Sequence, residues 1–167
     1  MVIIVMGVSG AGKSTIGKKL ATALGWQFAE GDERHPAANI EKLRGGIPLT
    51  EQDRKPWLLA LREDIQGWLR DGDHVVLAAS VLRRAHRDLL LIDPPNMRLV
   101  YLKGSFPLLK SRLLRRGQHF MHPELLGSQF ETLEEPQEGV MPPAAIIAEV
   151  TKPPDVIVEE VRAALGR

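Results

Sequence analysis

Cysteine is absent from the 167-residue sequence. This removes disulfides, thiolate nucleophiles and cysteine-ligated zinc from the available chemistry, while fitting any redox compartment. An excess of charge is lacking too. With 22 basic against 21 acidic side chains the net charge is +1, so there is no bulk attraction for nucleic acid or an anionic membrane, and any anion binding must be local. No apolar run approaches the roughly 20 residues of a membrane helix. The first apolar stretch has no basic leader and runs into Gly7-Val8-Ser9-Gly10, which reads as a strand entering a turn rather than a signal peptide. Internal repeats, low-complexity tracts and a domain linker are missing as well. What is present, 44% hydrophobic and 26% charged residues, is globular composition in a chain long enough to bury a core without staples. The expectation is one domain over residues 1–167, in the cytoplasm, binding neither nucleic acid nor membrane.

Strand and helix patterns alternate. Val2 to Val5 is β-branched and suits a strand buried on both faces. Ile16, Leu20 and Leu24 repeat every four positions from Lys13 onward, and Gly25 closes that helix. Further strands are predicted at Trp26 to Ala29, His74 to Ala79, Arg98 to Leu102 and Ala144 to Val150. Helices are predicted at Ala37 to Leu43, from the Thr50-Glu51-Gln52-Asp53 capping box to about Asp71, around Arg84 to Leu91, at Phe106 to Arg116 and near Glu124 to Phe130. Pro56 is expected in the first turn of its helix, and Asp155 is expected to cap a final helix reaching Leu165. Trp57, Trp68 and Phe130 are assigned to packing. This alternation implies an α/β fold with a five-stranded parallel sheet flanked by helices on both faces. Ligands then gather at the carboxyl ends of the strands, just where Gly7, Glu30, Ser80 and Gly104 fall.

Gly7-Val8-Ser9-Gly10-Ala11-Gly12-Lys13-Ser14 matches G-x-x-x-x-G-K-[ST] in full, with a strand before it and a helix after it. Its amides, continuing to Thr15, can line one concavity at a helix N-terminus and cradle phosphate. Lys13 would reach the β- and γ-phosphates and the Ser14 hydroxyl would ligate Mg²⁺. The base-reading Asn-Lys-x-Asp of GTPases does not occur. A remodelling ATPase or regulatory module usually carries additional domains, whereas a small-molecule kinase needs only an acceptor pocket and a lid. After the second strand, Glu30-Gly31-Asp32 offers two carboxylates. One can hold a metal-bound water and the other, Asp32, can take the proton of an attacking hydroxyl. Lys110, Arg112, Arg115 and Arg116 precede a lid-like segment. Guanidinium groups delivered there would stabilise the charge of the transferring phosphoryl group, with Arg112 and Arg116 sharing one helix face.

One long block narrows the acceptor. It comprises Gly31-Asp32, His35-Pro36, Asn39-Ile40-Glu41-Lys42-Leu43, Gly46-Ile47-Pro48-Leu49 and Asp53-Arg54-Lys55-Pro56-Trp57-Leu58. Later come Arg87-Asp88-Leu89-Leu90, Tyr101-Leu102-Lys103-Gly104, His119-Phe120-Met121 and Ser128-Gln129-Phe130-Glu131-Thr132-Leu133-Glu134. In this order, over residues 1–136, the sequence resembles the gluconate kinase family. The resemblance implies a P-loop kinase fold with an acceptor-binding segment at about 30–72 and a lid at about 116–136. It also implies Mg²⁺-dependent transfer from ATP to the terminal hydroxyl of D-gluconate, and a possible homodimer. Arg54 and Arg87 are then candidates for the substrate carboxylate, His35 and Asn39 for its hydroxyls, and His119 for further substrate contact. Two positions depart from the family pattern: Glu30 stands where Asp is usual, and Gly117-Gln118-His119-Phe120 replaces Lys-Gly-His-Phe. The alternatives are a kinase for another sugar acid or for shikimate, and a non-catalytic nucleotide-sensing module.

Overall fold

The computed structural model describes residues 1–116, 124–137 and 145–167. Among these residues five parallel strands form one sheet: β1 (Val2–Met6), β2 (Gln27–Glu30), β3 (Val75–Ala78), β4 (Met97–Lys103) and β5 (Ala145–Glu149), in the order β2-β3-β1-β4-β5. The central strand β1 is buried along its whole length, as its unbroken apolar run requires, whereas the edge strand β2 begins on an exposed residue. Register is continuous, with Ile4 beside Leu77 on one side and Leu99 on the other.

Seven α-helices flank the sheet among the described residues: α1 (Lys13–Leu24), α2 (Ala37–Arg44), α3 (Glu51–Asp71), α4 (Arg84–Leu90), α5 (Phe106–Arg116), α6 (Leu125–Thr132) and α7 (Pro154–Ala164). Helices α1 and α7 pack together, and α3 packs against α4. β1 sends its connection toward β2 while neighbouring β4 sends its own toward β5. The crevice of a wound parallel sheet therefore opens at the carboxyl end of β1.

Most predicted elements lie where periodicity placed them, to within a residue or two, and α1 ends on left-handed Gly25. The capping box at α3 forms as read. Thr50 Oγ1 accepts from the Asp53 amide at 3.1 Å and Asp53 accepts from the Thr50 amide at 2.9 Å. That box fixes the helix start at Glu51, so Pro56 is the sixth helical residue, in the second turn rather than the first. Asp155 is likewise displaced from its predicted role. Pro153 occupies the N-cap of α7, and Asp155 sits in the first turn, paired with Lys19 at 2.7 Å.

Candidate active site

The loop after β1 takes the shape its glycines permit. Gly10 and Gly12 are left-handed, at φ 81° and 92°, where a side chain would be strained. A Cβ on Gly10 would also lie 3.1 Å from Leu113, so α5 abuts the loop. Gly12 is the N-cap of α1, whose first turn carries no acidic side chain, leaving the positive end of the helix uncompensated for an anion. Lys13 Nζ donates to the Val8 carbonyl at 3.1 Å, folding over the loop.

The Ser14 hydroxyl donates to the Glu30 carboxylate across the gap between α1 and the end of β2. Burial pushes the Glu30 carboxyl up. The Ser14 bond opposes that shift, the Asp32 charge adds to it, and Lys13 opposes it. Lys13, Ser14, Glu30 and Asp32 thus form one electrostatic group. These hydroxyl and carboxylate oxygens are the hard donors that Mg²⁺ prefers. No cluster of three or more acidic or histidine side chains suited to a metal occurs among the described residues.

Glu30 leads into a tight 3-10 turn, Gly31–Arg34. A Cβ on Gly31 would lie 2.6 Å from the Ala78 carbonyl, so only glycine lets the turn pass this close to β3. Trp57 Nε1 donates to the Gly31 carbonyl at 2.8 Å, giving this packed indole a second task. Asp32, the next residue, lines a cleft shared with His35, Arg54, Trp57, Ser80 and Gln129.

His35 stacks on Trp57 with ring centroids 4.5 Å apart. Asn39, predicted to contact substrate, is instead buried, because its amide nitrogen has two protein acceptors. It donates to the Asp53 carbonyl at 2.8 Å and lies 3.2 Å from His35 Nδ1. Nδ1 therefore accepts, and the neutral ring carries its proton on Nε2. Burial lowers the pKa of His35 and favours this neutral form.

Of the two arginines expected at the acceptor carboxylate, the structure brings one to the cleft. Arg54 lines it, held through Glu51 at 2.7 Å. Glu51 also accepts from His86 Nε2 at 2.8 Å and pairs with Arg83 at 3.3 Å. Burial would raise the Glu51 carboxyl, but the bonds from His86 and Arg54 outweigh it and the net shift is downward. His86 is itself buried, which lowers its pKa, so a neutral ring donates to a carboxylate. Arg87, the other, does not line the cleft: it is 2% exposed, and its Nη1 donates to the carbonyls of Leu82 and Val81 at 2.9 and 3.3 Å. It braces the loop after β3, and Ser80 and Leu82 of that loop line the cleft.

Arg112, expected on phosphate, donates to the Val150 carbonyl at 2.5 Å, because the end of β5 supplies an unpaired acceptor within its reach. The Arg116 side chain and His119 lie outside the described residues. Sequence reasoning gave no role to Glu51, His86 or Gln129. For Gln129 a signal existed: it shares the buried face of α6 with Leu125 and Leu126, and a polar residue on an apolar stripe marks a specific partner.

A family model described as an AAA domain matches residues 2–136. A probable gluconokinase from Xenopus tropicalis is 42% identical over 182 aligned positions, covering 100% of this chain and 94% of that protein. The gluconokinase of Gluconobacter oxydans is 44% identical, covering 95% of this chain and 87% of the relative. The crystal structure of a gluconokinase from Sinorhizobium meliloti superposes with a TM-score of 0.87 at 43% identity, over 99% of this chain and 91% of that one. Likeness of this extent, in sequence and in fold together, means that the chain belongs to the gluconokinase family of P-loop kinases.

Proposed function

We propose that the protein transfers the γ-phosphoryl group of ATP to the terminal hydroxyl of D-gluconate, giving 6-phosphogluconate and ADP. The observation that carries this reading is the Ser14–Glu30 bond. It joins the phosphate loop to the acidic turn bearing Asp32, so the phosphate cradle and the acceptor cleft adjoin. The loop amides from Gly10 to Thr15 hold the phosphate chain, and Lys13 unfolds from Val8 onto its β- and γ-oxygens. Asp32 accepts the proton of the attacking hydroxyl as the new P–O bond forms. Arg54 takes the acceptor carboxylate with the donors that Glu51 leaves unused, and His35 Nε2–H donates to a substrate hydroxyl. Ser14 would hold Mg²⁺ directly and Glu30 through a water; when bound, the ion neutralises charge on the β- and γ-phosphates. Arg116 and His119 belong to the same proposal as lid contacts with phosphate and acceptor, and Arg112 joins them if lid closure draws it from Val150.

The cytoplasm is the proposed compartment, where ATP is abundant; among the described residues no helix is long and apolar enough to cross a membrane. A homodimer is the proposed assembly, on family resemblance. An ADP-release assay across D-gluconate, other sugar acids and shikimate tests the acceptor. Gluconate should give the fastest turnover, and a gluconate signal at background contradicts the assignment.

A further inference from the structure

Helix α6 is fastened at three places. Leu126 packs into the main core, and Leu125 packs with Leu43 and Leu49 of the acceptor segment. Beyond its carboxyl end, the Glu134 amide donates to the Leu82 carbonyl at 2.9 Å, the Glu134 carboxylate accepts from the Arg84 amide at 2.5 Å, and Tyr101 donates to Glu135 at 3.0 Å. The helix is therefore fixed to the carboxyl edge of the sheet independently of the phosphate loop. From this mount Gln129, 9% exposed, accepts the Ser9 amide through Oε1 at 2.6 Å, and the same side chain lines the acceptor cleft beside Asp32 and Arg54.

The bond has two consequences. The Ser9 amide is satisfied by protein, so phosphate is left to the amides from Gly10 onward. The crown of the loop is also tied to the helix that forms the acceptor wall. We infer that Gln129 is a positioning residue: through Ser9 it sets the phosphate cradle in register with the acceptor cleft, without touching the reacting atoms itself. A shift of about 1 Å between reacting groups can cost on the order of 100-fold in rate, so the register matters more to turnover than to the binding of either substrate alone.

The inference rests on the phosphotransfer reading above, and its test separates the two. Gln129→Met keeps the side-chain length but removes the strong acceptor, whereas Gln129→Glu retains an acceptor oxygen. Gln129→Met should lower kcat about 10- to 100-fold while the KM values for ATP and gluconate stay within about threefold. Gln129→Glu should recover most of that loss. Hydrogen exchange of the Ser9 amide, followed by NMR without substrates, should quicken about three- to tenfold in Gln129→Met, with core amides unchanged. A kcat within about twofold of the parent, or unaltered Ser9 exchange, overturns the inference. Parent protein that exchanges as described but turns over no gluconate overturns the acceptor assignment and leaves the Ser9–Gln129 tie standing.

Discussion

In the proposed reaction Asp32 and Arg54 divide the chemistry at the level of single side chains. Asp32→Asn should lower kcat by about 10²–10⁴-fold, the usual contribution of a positioned general base, with ATP affinity unchanged by titration calorimetry. Arg54→Ala should raise the gluconate KM about 10- to 100-fold, the loss of a charge-assisted bond, with little change in the ATP requirement. Arg87→Ala should behave differently. Its Nη1 donates to the Val81 and Leu82 carbonyls, so the variant should lose about 1.5–3 kcal/mol of stability in urea unfolding and show a smaller rise in gluconate KM than Arg54→Ala. In the sequence these two arginines looked equivalent. Residue type and an approximate place on the sheet edge were readable, but depth was not: burial depends on which side of a seven-residue helix meets the core, and that is settled by tertiary packing. Asn39 misled in the same way, since its short amide fits a backbone carbonyl and a ring nitrogen as well as a sugar hydroxyl.

Among the elements, α1 and α3 were legible because their ends carry chemical punctuation, Gly25 for one and the Thr50–Asp53 box for the other. The box also has a consequence for stability. Thr50→Ala should cost about 0.5–2 kcal/mol, measured by urea unfolding. Asp53 accepts from Lys42 and from the Thr50 amide, and together these hold its carboxyl down at about 2. Its contribution is therefore present above the ordinary carboxylate range and disappears as pH falls toward 2. Asp53→Asn should flatten stability over that acid window while leaving it less stable at neutral pH. Helix α6 was located by its short apolar patch. Its tie to the phosphate loop was not readable, because a contact between residues 9 and 129 has no local sequence signature.

For the molecule as a whole, strand–helix alternation and one complete phosphate-binding motif gave the parallel sheet, and the sheet in turn explains why distant loops meet. Met6, Glu30, Ala78 and Lys103 all end strands at the same edge, so the residues that follow them converge without any further instruction. The half-buried His35 and the buried His86 of this edge predict a second pH dependence. His35 and His86 both titrate below the usual imidazole value in the native protein. The unfolded chain therefore takes up protons that the native protein refuses, and stability should fall as pH drops below about 6.5. The urea midpoint should decline between pH 7 and pH 5.5, and His86→Phe should lessen the slope. The most direct measurement of the account as a whole is ³¹P NMR of ATP, Mg²⁺ and D-gluconate incubated with the parent protein and with Asp32→Asn. A phosphomonoester resonance coupled to the C6 protons of gluconate should grow in step with ADP in the parent and be at least about 100-fold slower in the variant. ADP accumulating with inorganic phosphate alone, or both proteins forming the ester at equal rates, would contradict a phosphate cradle and an acceptor cleft working as one site.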